Sequence, residues 1–177
     1  MKTFAVPTKE QVSDNNKVVF DNLKQKIGMV PNLYATMAYS DNALGNYITF
    51  QSGKTSLRAK EKEAVNLIVS QVNNCIYCLS AHTAIGKMNG FTDDQIIEIR
   101  KGSASFDAKL DALVKLAKNI TETKGKADNT LVDNFFAAGY NEGTLIDLIM
   151  LIGDKAIMNY LHNLTEVPVD FPLAPAL

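Results

Sequence analysis

The sequence predicts an all-α fold, on three observations. Apolar residues recur at three- and four-residue intervals through nearly the whole chain, the spacing that lines one face of a helix. Glycines and capping residues fall between those runs, where helices stop and start. No segment combines the two-residue alternation of a half-buried strand with hairpin-turn residues at its ends. The 177 residues, 46% of them hydrophobic, supply enough apolar material for one compact domain or for two small helical halves sharing a core.

Val19, Phe20, Leu23 and Ile27 mark the first helix, with Gly28 as its stop. Pro31 suits the first turn of a short helix reaching about Ser40. Another short helix covers Asn42 to Gln51 and is ended by Gly53. Ser56 is a candidate cap for a helix running to about Asn73. From Ala64 to Val69 that helix is apolar on almost every side, so it is expected to be buried. Cys75 opens a helix that runs to about Asn89 and stops at Gly90. Thr92 and Gln95 stand at capping-box spacing for a helix over Asp93 to Lys101. Leu110, Leu113, Val114, Ala117 and Ile120 form one stripe of a helix ending before Gly125. Leu131 to Ala138 is a shorter helix, and Glu142 to Leu164 a long apolar one. The tail, Pro168 to Leu177, carries three prolines and is expected to be extended. Gly90-Phe91-Thr92-Asp93 and Gly139-Tyr140-Asn141-Glu142 each end one helix and start another. They raise the option of a duplicated helical hairpin, although glycine followed by a capping residue is a common turn.

Charge narrows the function. A net charge of -1 argues against general nucleic-acid binding, which needs a basic surface. The charges alternate along solvated faces, as in Lys60-Glu61-Lys62-Glu63. The run from Met1 to Pro7 is too short for a signal-peptide core. No stretch approaches the roughly 18 apolar residues of a membrane span, so a cytoplasmic, non-membrane protein is expected. There are two cysteines and they sit three apart, which is no disulfide scaffold. In a reducing compartment such a pair points to redox chemistry or metal binding.

The informative segment runs from Glu63 to His82. Cys75-Ile76-Tyr77-Cys78 is a CxxC, and His82 follows Cys78 by four residues, on the same helical face. At a helix N-terminus, free N–H groups and the helix dipole favour negative charge, hence the reactive thiolate. His82 can take or give a proton near neutral pH. Glu63, on the preceding helix, reaches the site if the two helices pack antiparallel, and there it acts as base or orients His82. Zinc is the competing reading, since Cys, Cys, His and Glu are all legitimate ligands. It is set against the abundance of apolar residues, with which the chain can fold without metal. No metal and no cofactor are therefore expected. A thioredoxin-like reading fails because that fold needs strands around its CxxC.

The spacing Glu63, eleven residues, Cys75, two residues, Cys78, three residues, His82 resembles the signature of the alkylhydroperoxidase D (AhpD) family, in the carboxymuconolactone decarboxylase superfamily. Glu63-Ala64-Val65, Asn74-Cys75-Ile76-Tyr77-Cys78 and Ala81-His82 match in kind. Asn159-Tyr160 and Pro168-Val169-Asp170-Phe171-Pro172 resemble its longer, peroxidase-related branch. The resemblance implies a single AhpD-like helical domain over 1–177 and a trimeric or hexameric homo-oligomer. It also implies a peroxidase acting on alkyl hydroperoxides. Carried over, Cys78 is the peroxidatic residue, Cys75 the resolving one, and Glu63 and His82 the proton relay. A dithiol or lipoyl-carrying protein is the implied reductant. Tyr77 is a secondary candidate and a departure: some members have histidine there, and tyrosine is a poor proton carrier at neutral pH. A disulfide oxidoreductase or redox sensor using the same pair is the alternative function, and a decarboxylase-type activity a third, disfavoured by the cysteine pair.

The remaining residues read as structural. His162, on the long last helix, reads as a satisfied structural histidine. Met29, Met37, Met88, Met150 and Met158 sit among apolar positions as core or interface filler. Phe135, Phe136 and Tyr34 read the same way.

Overall fold

The computed structural model describes residues 4–177. Among those residues there are nine α-helices, one short 3-10 turn at Lys9–Gln11 and no strand. The helices are α1 Asp14–Ile27, α2 Asn32–Met37, α3 Ala43–Gln51, α4 Ala59–Val72, α5 Ile76–Met88, α6 Asp93–Lys101, α7 Ala108–Thr123, α8 Asn129–Ala137 and α9 Glu142–Thr165. After α9 the chain runs without regular structure, as the prolines of the tail require.

The chain divides into two compact units. The first takes the residues up to Lys54 together with Leu161–Asp170; the second takes Thr55–Tyr160 and Phe171–Leu177. The first unit is built on α1, α2 and α3. Ser13 caps α1 by accepting from Asn16 N–H. Asn16, almost fully buried, donates to the carbonyls of Ala38 and Ser40 and so closes the end of α2. Pro31 stands just before α2 rather than inside it, and the helix ends at Met37, three residues before the expected Ser40.

The second unit holds the core. Ala64, Val65, Leu67, Ile68 and Val69 of α4 are all buried, packed with Leu113, Val114, Leu116 and Ala117 of α7. A helix apolar on every side needs neighbours on every side, and α5, α6 and α7 all pack against α4. Ser56 does not cap α4. Its hydroxyl and backbone N–H both go to Asp147 Oδ2, at 2.6 Å each. Arg58 takes the cap position instead, because Glu61 at the third helical residue reaches back to accept from Arg58 N–H at 2.7 Å. A capping box can be closed by its acidic member, which a search for Ser or Thr overlooks.

The duplication has a structural counterpart. Gly90 and Gly139, 49 residues apart, both end a helix in the left-handed conformation, φ +86° and +87°, which glycine adopts without strain. Behind them, Phe91 and Tyr140 are buried. Lys60 lies over the Phe91 ring at 5.1 Å and bonds Gly90 O; Lys109 lies over the Tyr140 ring at 4.4 Å and bonds Gly139 O. Thr92 and Asn141 then cap the next helices. The same junction is thus built twice, between α5 and α6 and between α8 and α9.

Of the methionines, Met37 and Met158 are buried, but Met88 is 85% exposed and Met150 is also exposed, so neither is core. Met88 is the last residue of α5, where the helix face turns to solvent. Phe135 is fully buried, and His162, also buried, bonds Val167 O through Nε2.

Candidate active site

The site lies within the second unit, on α4, α5 and α9. Asn73 ends α4 and Asn74 takes a left-handed conformation, φ 53°, which asparagine tolerates better than most residues. Cys75 N–H then bonds Ser70 O at 3.0 Å. This tight turn sends α5 back along α4, so a residue two to three turns before the turn meets one about two turns after it. Glu63 and His82 are that pair: Glu63 Oε2 and His82 Nδ1 are 2.8 Å apart, both largely buried. The other carboxylate oxygen accepts from Asn66 Nδ2 at 3.1 Å.

Cys75 is the N-cap of α5, and its sulfur accepts from Cys78 N–H at 3.2 Å. Both cysteines are reduced and buried, 0% and 3% exposed. The Cys75 thiol lies close enough to act on that of Cys78. That proximity, together with burial, pushes the Cys78 thiol well above its ordinary value. Asn159, which hydrogen-bonds the Cys78 sulfur, and the positive charge of Lys155 pull the other way. Burial works against ionisation of Glu63 as well. There the nearby His82 and Lys155 and the Asn66 hydrogen bond outweigh it, and the carboxyl sits below its ordinary value.

Of the residues singled out in the sequence, Glu63 is bonded to His82 and Cys75 to the Cys78 backbone, and Cys78 stands one turn before His82 on α5. Tyr77 is buried, its ring edge-on against Phe171 of the tail, ring centroids 5.6 Å apart. Sequence reasoning placed α9 but assigned no site residue to it. Lys155 is buried there, with Nζ 3.3 Å from His82 Nε2 and 3.3 Å from Asp154 Oδ2. Asn159, one turn on and fully buried, donates to Ser70 Oγ and accepts from Asn73 Nδ2. The available signal was three polar residues, Asp154, Lys155 and Asn159, in an otherwise apolar stretch of helix. Among the described residues no group of three or more His, Cys, Asp or Glu is placed to hold a metal ion. Nor is any helix among them long and apolar enough to cross a membrane.

The chain is thus all-helical among its described residues, with a buried CxxC at the start of α5, His82 further along that helix, and Glu63 bonded to His82 from the helix before it. Residues 35–119, just under half of the chain, match the model of the carboxymuconolactone decarboxylase family. The fold is shared with an uncharacterized peroxidase-related protein from Silicibacter sp. TM1040, with a TM-score of 0.82, 20% identity, and 97% of this chain and 91% of that one covered. It is shared too with an AhpD-core, peroxidase-related protein from Ralstonia eutropha JMP134, with a TM-score of 0.81, 17% identity, and coverage of 91% and 88%. A third similar structure is a variant of the debrominase Bmp8 in complex with 2,3,4-tribromopyrrole, with a TM-score of 0.77, 17% identity, and coverage of 96% and 93%. No curated protein matches the sequence significantly. The fold is therefore AhpD-like, and the stretch that matches the carboxymuconolactone decarboxylase family model carries Glu63, Cys75, Cys78 and His82.

Proposed function

We propose that this protein is a thiol-dependent peroxidase that reduces alkyl hydroperoxides through the Cys75–Cys78 pair. The observation that carries the reading is the joint placement of two buried cysteines, Cys75 Sγ accepting from Cys78 N–H at the start of α5, and the 2.8 Å pair of Glu63 on α4 with His82 on α5. Burial of both cysteines favours this over an oxidoreductase acting on protein disulfides: a small hydroperoxide needs far less access than a protein disulfide does.

The cycle has three steps. The Glu63–His82 relay accepts the Cys78 proton, and the thiolate attacks one peroxide oxygen. The O–O bond breaks as the S–O bond forms; sulfur is oxidised by two electrons, and the leaving alkoxide takes a proton from the relay to become the alcohol. Cys75 then attacks the Cys78 sulfenic acid, forming the S–S bond and releasing water. An external dithiol, a lipoyl-carrying protein or a small thiol donor, reopens the disulfide by exchange and is itself oxidised. Cys78 is assigned the attack because it is the sulfur that Asn159 and Lys155 address; Cys75, held as the helix cap, resolves.

The test is steady-state consumption of cumene hydroperoxide with dihydrolipoamide or dithiothreitol, with a brominated pyrrole as a parallel substrate because one protein of this fold is a debrominase. Multiple turnovers are expected with the hydroperoxide, lost in both Cys75→Ser and Cys78→Ser. Full turnover in both variants sinks the scheme. A single stoichiometric oxidation without turnover favours the sensor. We further propose a cytoplasmic homo-oligomer. Its support is the exposed apolar row Ile146, Met150, Ile157 and Tyr160 on α9, which Ile157→Glu should disrupt in a sedimentation experiment.

A further inference from the structure

We propose that Lys155 is a positioning residue of the reactive centre, holding His82 by its far ring nitrogen and supplying the positive charge that stabilises the Cys78 thiolate, with Asp154 setting how much of that charge is felt. The proposal rests on the Cys75–Cys78 pair being the reactive group.

An ammonium group inside a protein is costly to bury, and a buried Lys–Asp pair is weak evidence for stability. Here the pairing is also incomplete. The Lys155–Asp154 contact is long, 3.3 Å, and Asp154 Oδ1 is buried without a hydrogen-bond partner. An ion pair kept for packing alone would be better replaced by apolar residues. What distinguishes this one is its position.

α9 and α5 meet in matching steps. Lys155 stands opposite His82, and Asn159, one helical turn further on, stands opposite Cys78, one turn back on α5. Asn159 is fixed from two sides, by Ser70 and Asn73 at the end of α4. Its amide is therefore aimed at the Cys78 sulfur by groups that have no other part in the chemistry. Lys155 is fixed between His82 Nε2 and Asp154 Oδ2. As an ammonium it donates to Nε2, which makes Nε2 the acceptor nitrogen and leaves Nδ1–H to donate to Glu63. One lysine thus selects the tautomer that the Glu63 contact needs and places a cation at His82, one turn along α5 from Cys78, whose thiol feels its charge. The ionisable groups around Cys78 are Glu63 from α4, Cys75 and His82 from α5, and Asp154 and Lys155 from α9. Lys155 is the cation among them that needs no prior protonation of His82.

The experiment is the pH dependence of Cys78 alkylation by iodoacetamide in the full-length protein, read by mass spectrometry at that residue. It needs no peroxide turnover, so its failure is distinguishable from failure of the peroxidase reading. Lys155→Gln is expected to raise the midpoint by about one pH unit, and to slow alkylation about tenfold at neutral pH, as loss of a nearby opposite charge should. Lys155→Arg should keep most of the wild-type behaviour. Asp154→Asn is expected to lower the midpoint, because it leaves Lys155 unopposed. Shifts in opposite directions from adjacent residues are not produced by loosening of the helix. An unchanged midpoint in folded Lys155→Gln overturns the proposal, and so does a shift of both variants in the same direction. If Lys155→Gln does not fold, Asp154→Asn decides alone: a lowered midpoint supports the proposal, and an unchanged or raised one overturns it.

Discussion

Replacing Glu63 by glutamine removes a charge and nearly preserves the shape. The contact it weakens is the 2.8 Å bond to His82 Nδ1, between side chains 11% and 12% exposed, where water screens little. A hydrogen bond to a charged group contributes about 1.5–3 kcal/mol. At about 1.4 kcal/mol per factor of ten, Glu63→Gln should lower turnover about 10- to 150-fold if that bond is used in full at the transition state. The loss should fall on kcat with KM nearly unchanged, because Glu63 acts on the proton relay and not on the bound peroxide. The assay is hydroperoxide consumption at saturating dithiol, with circular dichroism confirming that the variant is folded. A folded variant with wild-type kcat would refute the relay, and a loss confined to KM would move Glu63 from proton transfer to substrate binding.

Three further predictions concern stability. The Glu63 carboxyl is below its ordinary value in the folded protein, so its stabilising contribution is complete above its unfolded value and is lost as pH falls through the folded one. Urea midpoints on acidification from about pH 4.5 downward should therefore fall more steeply for the wild type than for Glu63→Gln; equal slopes would contradict this. Phe135, fully buried and stacked on Tyr140 at 4.5 Å, should cost about 3–5 kcal/mol when replaced by alanine, measured by urea unfolding. Gly139→Ala meets nothing closer than 3.9 Å, so its cost should be the backbone strain of a left-handed residue, about 1–2 kcal/mol by the same method.

Much of the fold was legible because it rests on local rules. Thr92 and Gln95 form the capping box that their spacing predicts, and α6 spans Asp93–Lys101 as expected. Gly28 and Gly90 end helices where sequence punctuation puts them. The exceptions lie where a distant residue decides. Ser56 has the right chemistry for a cap, but Asp147, ninety-one positions away in sequence, takes it. Met88 is apolar by type and exposed by its position at a helix end, which periodicity does not report. The site divides the same way. Cys75, Cys78 and His82 share one helix, so spacing alone groups them. Glu63 joins them across a single short turn, and it too was readable. Lys155 and Asn159 come from more than seventy residues later, and only the packing of α9 on α5 brings them in. Their polarity within an apolar helix was visible; their destination was not.

The most direct test is to expose the reduced protein to one equivalent of hydroperoxide, quench it with an alkylating agent and analyse it by mass spectrometry. A disulfide joining Cys75 to Cys78, formed within one turnover and reopened by dihydrolipoamide, is the predicted result. Two free, alkylatable thiols after that exposure would contradict the assignment of this pair as the group that reduces peroxide.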